Sequence, residues 1–485
     1  MNLLPKSMLI SAGFVLLASS CDVLDPVGRD VVFQNHSITA NYLSLDPTFS
    51  SVEVYTLVSS EDELPNTPNF VYGSMADGAG LLRTEDGGFS LINNIEADYS
   101  VARITFDETF RPVAGDYILN AEATAYTAQC SGSLITPEEH GFGPWYLSGG
   151  EWGGDSKGVY LTDVNKDAAD AGTPNLLANL GQWSTENAVV IGKKAYRNQT
   201  VLFIGDDQSA NDIPRGQLAM YVGDRGDLNG GNLYSFRVTT SGVDFEMDMV
   251  AGQEYDVEFV ELTQTGLDEL EEEAQEKGIM SFSRVEDIDW RRGNAKAQRE
   301  IYFVATGRVR DGLEGLGTFY GRIYKLTLND DDPTGPAKLE VVLDGDDLNG
   351  PAAEFHSPDN ILVTENYAYI QEDPNGYFDV AGKNHPARLY QYDLESGNLE
   401  VVLECNQATA SADGVGVPYT DNSWEITGMI DISDVINQDE TFLLITQNHG
   451  WVPEDGSSFT DPLANSADET RAEGSQLYLI RGLAR

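Results

Sequence analysis

Val201-Leu202-Phe203-Ile204-Gly205-Asp206-Asp207 is an apolar run that ends in two acids, and a polar turn then leads into Gly216-Gln217-Leu218-Ala219-Met220-Tyr221. The same two-step shape returns as Tyr367-Ala368-Tyr369-Ile370-Gln371-Glu372-Asp373, followed by Ala387-Arg388-Leu389-Tyr390. Its second half recurs at Gly231-Asn232-Leu233-Tyr234, Gly321-Arg322-Ile323-Tyr324 and Gly474-Ser475-Gln476-Leu477-Tyr478. Short runs rich in β-branched and aromatic side chains, bounded by Gly, Asp and Asn, are strands. A strand–turn–strand unit repeated along the chain points to an all-β β-propeller, where the inner strand of each blade faces a central channel and the next turns outward. The period is irregular, which predicts inserted loops. A pair of β-sandwiches is the competing architecture.

Further strands are predicted over Val52–Val58, Ile301–Ala305, Leu339–Leu343 and Phe442–Thr446. The final strand, Leu477–Leu483, is placed to close the ring by pairing with a strand near the N-terminus. One short surface helix is expected over Leu267–Lys277, capped by Thr265 and stopped by Gly278. No linker-like stretch divides the chain. At the N-terminus, Lys6 precedes an apolar run from Met8 to Leu17 and then Ala18-Ser19-Ser20-Cys21. Small residues before a cysteine, after a run too short to span a bilayer, describe a signal peptide over 1–20 with a lipid joined to Cys21. Residues 21–45 are then a lipid-anchored tether and 46–485 the propeller domain. The expected location is outside the cytoplasm, on a bacterial outer membrane, with the lipid as the sole membrane contact and the protein a monomer. No twin-arginine pair precedes the apolar run, so export of an unfolded chain is expected.

The 485 residues carry 79 acids against 29 basic residues, a formal net charge of -50. Such a surface repels nucleic acid and anionic lipid and attracts cations, so nucleic-acid binding is excluded. Most of these acids are solvated surface groups; those at the ends of apolar strands are the candidates for chemistry. Nucleophile-elbow, zinc-protease, phosphate-loop and Cys-x-x-Cys signatures are absent, and the five histidines are scattered. Asp163-Val164-Asn165-Lys166-Asp167 begins like a calcium loop but has Ala168 at the glycine position and Pro174 where the terminal glutamate belongs. Beyond Cys21 the cysteines are Cys130 and Cys405, which an oxidising compartment permits to join as a disulfide; their separation is not set by sequence.

What remains is a set of oxygen donors on different strands: Glu151, Glu186, Glu286-Asp287, Asp359-Asn360 and Glu372-Asp373. Carboxylates and amide carbonyls converging from several strands are what hard cations bind. Taken singly, each acid is better explained as a turn or cap residue; the set is what points to chemistry.

Eight stretches, in order, resemble the PhoX family of calcium-dependent alkaline phosphatases and its propeller relatives. They are Cys130-Ser-Gly-Ser133, Gly150-Glu-Trp-Gly153, Leu180-Gly-Gln-Trp-Ser-Thr-Glu-Asn-Ala188, Phe203-Ile-Gly-Asp-Asp207, Gly231-Asn-Leu-Tyr234, Phe282-Ser-Arg-Val-Glu-Asp287, Ser357-Pro-Asp-Asn-Ile361 and Gln371-Glu-Asp-Pro-Asn-Gly376. The resemblance implies a six-bladed propeller holding a calcium–iron cluster in its channel. It makes Cys130 an iron ligand, and Glu151, Glu186, Glu286, Asp359, Asn360 and Glu372 metal ligands. Arg284 becomes the residue that holds the phosphate, so Arg284, Glu286 and Glu186 are expected at the reaction centre. A planar guanidinium fork suits a phosphate, and cations offset charge developing in the transition state. Calcium is the expected cofactor and iron the second candidate. The chain departs from those phosphatases in lacking the twin-arginine signal and in inserting Pro137-Glu-Glu-His140. The expected activity is phosphomonoesterase on small phosphate esters. The alternatives are a non-catalytic, calcium-stabilised lipoprotein that binds a nutrient, and an esterase or lactonase using channel calcium.

Overall fold

The computed structural model describes residues 31–154, 156–374, 382–416, 422–466 and 473–485. The chain enters through β1 (Leu43–Leu45) and β2 (Glu53–Ser59), then runs through six successive antiparallel meanders. The first is β3 (Ala76–Arg83), β4 (Phe89–Ile95), β5 (Ser100–Phe106) and β6 (Pro112–Leu119); the second is β7 (Thr127–Ile135), β8 (Trp145–Gly153) and β9 (Gly158–Thr162). The third is β10 (Thr185–Val190), β11 (Gln199–Asp206), β12 (Leu218–Asp224) and β13 (Asn232–Val238), with β14 (Glu254–Leu262) added outside it. The fourth is β15 (Val285–Trp290), β16 (Glu300–Ala305), β17 (Arg322–Thr327) and β18 (Ala337–Asp344). Because β14 also pairs with β18, the third and fourth meanders share one nine-stranded sheet. The fifth is β19 (Pro358–Val363), β20 (Tyr367–Glu372), β21 (Arg388–Asp393) and β22 (Leu399–Cys405), edged by β1. The sixth is β23 (Glu425–Asp431), β24 (Thr441–His449) and β25 (Glu473–Arg481).

The first strands of the six meanders, β3, β7, β10, β15, β19 and β23, neighbour one another in a closed cycle. They therefore line one channel, and each meander is a blade. The last blade is completed by β2, which pairs with β25 from Glu53↔Arg481 to Ser59↔Gln476. The two ends of the chain thus close the ring through one sheet, as the final strand predicted, and the competing sandwich is set aside. The aliphatic–tyrosine repeat proves to mark the third strand of its blade in β12, β17, β21 and β25, and the fourth in β13. Tyr221, Tyr324, Tyr390 and Tyr478 are buried there. Burial on both faces explains why strands such as Phe442–Ile445 are continuous apolar runs rather than alternating ones. The apolar clusters bridge adjacent blades, one joining the first blade to the sixth and others the second to the third and the fourth to the fifth.

Several boundaries differ from the sequence reading. The signal peptide, Cys21 and residues up to 30 lie outside the described residues. The rest of the expected tether is laid against the propeller: Val32 N donates to Thr109 O at 3.0 Å, His36 N to Thr56 O at 2.8 Å, and β1 pairs with β22. Helix α1 covers Leu267–Lys277 and stops at left-handed Gly278, but its N-cap is Gly266. Glu273 instead takes the Thr263 and Gln264 amides, tying the helix to the end of β14. Two further helices, α2 (Gln407–Ala412) and α3 (Ser433–Ile436), are too short to show a helical period in sequence. Cys130 and Cys405 are both free and buried. Cys405 ends β22, packed between the fifth and sixth blades, while Cys130 lies in the channel strand β7, so the disulfide does not form.

Candidate active site

Every channel strand carries a β-bulge at the same level. In β10, Thr185 pairs with Asp206 and Ala188 with Ile204, so Glu186 and Asn187 together face one residue. The same two-against-one step falls on Asp77-Gly78 in β3, Cys130-Ser131 in β7, Glu286-Asp287 in β15, Asp359-Asn360 in β19 and Gly428-Met429 in β23. A bulge kinks the strand and re-aims a side chain that would otherwise enter the blade. Six bulges at one level collect Asp77, Cys130, Glu186, Glu286 and Asp359 about the channel axis. Ligand atoms of Asp77, Cys130 and Glu186 lie within 4.8 Å of one another, as do those of Glu186, Glu286 and Asp359.

A second ring comes from the second strands, which run antiparallel to the first and return to the same rim. Glu96 follows β4, Glu151 lies near the end of β8, Asp207 follows β11, Asp373 follows β20 and His449 ends β24. Glu425 opens β23. Glu96, Cys130 and Glu151 form one close group of potential ligand atoms, and Asp373, Glu425 and His449 another. Trp152 Nε1 and Gln447 Nε2 hold the two oxygens of Glu96 at 2.6 and 3.0 Å. The Cys130 thiol donates to Glu151 Oε2 at 3.2 Å.

Arg284 is the one arginine set into this ring among the described residues. Its Nε meets Asp207 Oδ1 at 2.8 Å, and its Nη2 meets both Asp207 Oδ2 and Glu286 Oε1 at 2.8 Å. Nη1 has no protein partner among the described residues, and the side chain remains 21% exposed. Arg284 has φ 66°, in the left-handed region, and Met75 and Ser357 hold the same conformation just before β3 and β19. Such strain persists where the surroundings fix it, and here it sits two residues before Glu286, Asp77 and Asp359.

The electrostatics follow from crowding. Burial, reinforced by Glu286, Asp77 and Glu151, holds Glu186 well above the usual carboxylate range. Burial and the neighbouring acids do the same for Asp77, Glu151, Asp359 and Glu425, and for Glu286 they outweigh the pull of Arg284. Burial and four surrounding carboxylates push the Cys130 thiol up as well. One guanidinium cannot balance so many acids, so these groups ionise together only if cations join them. Asn360 carries the same signature: its Nδ2 donates to Ser131 Oγ at 2.7 Å, while its buried Oδ1 has no hydrogen-bond partner among the described residues. An amide oxygen left bare amid carboxylates fits a hard cation. The donor set therefore fits hard cations, and the Cys130 sulfur beside Glu151 and Glu96 adds one softer donor that would bind as the thiolate.

Of the residues expected from sequence, the structure brings together Cys130, Glu151, Glu186, Arg284, Glu286, Asp359 and Asn360. Glu372 is turned away, because successive side chains on a strand alternate. Its Oε1 accepts from His356 N at 3.1 Å and Tyr390 Oη at 3.2 Å, and its Oε2 from Arg388 N at 3.1 Å. His385 Nδ1 stands 3.6 Å away, with both ring nitrogens already at backbone carbonyls. Glu372 thus stands outside this ring, in a separate group with His356 and His385 whose potential ligand atoms lie within 4.8 Å of one another, and its neighbour Asp373 takes the place in the ring. Asp77, Glu96, Glu425 and His449 were missed, Asp207 was quoted in a motif without a role, and Asp373 was named beside Glu372 without being made a ligand; apart from Glu425, which opens β23, the shared signal was a polar residue at the end of a second strand or in a bulge of a first.

A propeller whose channel gathers buried carboxylates around one clamped arginine defines a class of centre that binds cations and anions together. The chain belongs to the PhoX family of alkaline phosphatases: the family model described as "Alkaline phosphatase PhoX" matches residues 157–450, more than half of the sequence. Among solved structures it is similar to Pseudomonas fluorescens PhoX in complex with vanadate, a transition state analogue. That match has 14% identity and a TM-score of 0.62, and covers 92% of this chain and 98% of that one. It is more distantly similar to regucalcin, a calcium-binding protein from Agrobacterium tumefaciens str. C58, at 11% identity and TM-score 0.40, over 88% of this chain and 96% of that one. No curated protein matches the sequence.

Proposed function

We propose that this chain is an exported, lipid-anchored, metal-dependent phosphomonoesterase that releases phosphate from small phosphate esters. The observation that carries the reading is Arg284. Two carboxylates engage its Nε and Nη2, and its Nη1 is left without a protein partner among the described residues, beside a ring of acids that only cations can balance. The likeness to a propeller solved with vanadate, a mimic of phosphoryl transfer, supports the same reading.

Asp77, Cys130, Glu151, Glu186, Glu286, Asp359 and Asn360 would hold the cations, with Glu96, Asp373 and Glu425 alongside. Bound there, the metals would act as Lewis acids on the phosphoryl oxygens and supply an activated water as nucleophile. The protein's own part is orientation. Asp207 and Glu286 keep the guanidinium plane fixed, so an arriving phosphate meets a donor already in position. Ser131 N donates to Glu186 Oε1 at 3.1 Å, and Ile361 N to Asp287 Oδ2 at 2.9 Å, which hold neighbouring blades in register beneath the site. A binder merely stabilised by calcium would need no anion-directed guanidinium, so Arg284 favours catalysis. Export and lipid attachment rest on the reading of residues 1–21, and Cys21→Ala should release the protein from the membrane fraction.

The deciding test is hydrolysis of a chromogenic phosphomonoester by wild type and Glu286→Ala, with calcium and then with chelator. Turnover that requires both calcium and Glu286 supports the proposal. Inactivity of folded, metal-loaded wild type overturns it.

A further inference from the structure

Residues 239–253, between β13 and β14, form an insertion that returns to the fourth blade. Within it Glu246 opens a 3-10 turn (Glu246–Asp248) and is completely buried, away from the carboxylate ring. Its two oxygens serve two different loops. Oε2 accepts the Ser283 amide at 2.6 Å, and Oε1 accepts the Thr318 amide. Ser283 is the residue before Arg284, the left-handed residue that carries the free guanidinium edge.

The surroundings show what Glu246 adds. Phe282 is fixed by reciprocal hydrogen bonds with Gly216, at 2.8 and 3.0 Å, and by its rings-in-contact with Phe303 and Tyr324. Val285 is fixed by pairing with Ala305. Between these anchors the chain leaves sheet geometry, and the Ser283 amide has Glu246 as its acceptor where a strand partner would otherwise be. A buried amide without an acceptor costs about 1–3 kcal/mol, and the strained turn next to it would relax first. Burying a carboxylate for hydrogen bonding alone is a poor source of stability compared with apolar packing.

We propose that Glu246 is a positioning residue for the phosphate-binding arginine: it holds the 283–284 turn so that Arg284 meets Asp207 and Glu286 with Nη1 presented to the anion. The inference rests on the phosphatase reading and deepens it, by extending the anion site to a residue outside the channel.

The test uses the calcium-loaded full chain and compares wild type, Glu246→Gln, Glu246→Leu and Asp346→Asn. Asp346 is a control in the same buried network, since it accepts the Phe319 amide at 3.1 Å and does not touch residue 283. KM for a chromogenic phosphomonoester and Ki for orthophosphate are read beside thermal midpoint and bound calcium. Glu246→Leu should raise KM and Ki together, on the order of tenfold to a hundredfold, with calcium content unchanged. Glu246→Gln, which keeps one acceptor, should fall between it and wild type. Asp346→Asn should lower the midpoint and leave Ki in place. In an Arg284→Lys background, Glu246→Gln should add nothing further to Ki. The proposal is overturned if folded Glu246→Gln loses thermal stability while KM and Ki stay at wild-type values, or if the two substitutions add independently. A wild type that neither hydrolyses the ester nor binds orthophosphate refutes the phosphatase reading itself and this inference with it.

Discussion

Removing the metals should make the protein's stability fall as pH rises, the reverse of ordinary acid denaturation. Burial pushes Glu246, Asp287 and Glu372 up to about 7, and holds Asp77, Glu151, Glu186, Glu286, Asp359 and Glu425 well above the usual range. A carboxyl whose folded pKa exceeds its unfolded value contributes stability below the unfolded value, and loses it as pH rises through the folded one. The window here opens near pH 4 and extends through 7. Each group raised to about 7 forfeits on the order of 3–4 kcal/mol when it ionises in place. Three such groups come to about 10 kcal/mol, comparable with the whole stability of many domains. At roughly 2 cal/mol/K of unfolding entropy per residue over this length, that is about 10 °C in the thermal midpoint. The assay is melting followed by circular dichroism at pH 5 and pH 8, with chelator and with excess calcium. With chelator the midpoint should be lower at pH 8 by about 10 °C. Calcium should recover at pH 8 only the further loss that comes from the ring acids Asp77, Glu151, Glu186, Glu286, Asp359 and Glu425, add little at pH 5, and release protons on binding. A chelated midpoint that is flat or rises from pH 5 to pH 8 would refute the account of the buried acids, and a pH 8 midpoint that calcium does not raise would refute the acid ring as a cation site.

Other outcomes follow from single contacts. Arg284→Lys keeps the charge but loses the fork, and should cut kcat/KM for a phosphomonoester by about 10²–10³ without changing bound calcium. Thiol titration of the chain after signal-peptide removal and lipidation should find two reactive thiols in denaturant and none in the native state, since Cys130 and Cys405 are free and buried; a single disulfide in mass spectra would contradict this. Gly205→Ala would set a Cβ 2.4 Å from the Glu286 carbonyl oxygen, so it should cost about 1–3 kcal/mol or more in denaturant melts and depress activity beyond the loss of folded protein.

The propeller was legible because its strands are buried on both faces. That forces continuous apolar runs, and the aliphatic–tyrosine pair recurs where third strands pack between blades. The closing strand was legible for the same reason, as Leu477–Ile480 is apolar enough to need a partner on each side. The bulges were not. A bulge is one extra residue in a pairing, invisible until the partner's register is known, and it is what turns Glu186, Glu286 and Asp359 into one site. Glu372 and Asp373 show the limit sharply. The acidic pair at the end of β20 was the right place, but only the pleat decides which of two adjacent acids faces the channel. Asp207 stood in a quoted motif yet its role depends on Arg284, 77 residues away in sequence. Asp77 and Glu96 lie before the stretches that carried the resemblance, so nothing local marked them.

The six bulges also explain how one scaffold yields a specialised centre. They offer six equivalent positions about the axis, filled in chain order by Asp77, Cys130, Glu186, Glu286, Asp359 and Gly428. Gly428 adopts φ 55°, and a Cβ there would lie 2.4 Å from the Asp77 carbonyl oxygen, so the sixth position is closed by the backbone of the first blade. The donors are therefore asymmetric, with carboxylates on the first, third, fourth and fifth positions, a thiol on the second and no side-chain donor on the sixth, while Arg284 precedes only one of them. Backbone pairing repeats around the ring and sets distances; side-chain identity at these positions sets chemistry. A structural match at 14% identity can report the first alone. The second has to be read from the residues in the bulges and at the ends of the second strands, which is where substitutions should change metal content or turnover while leaving the propeller folded.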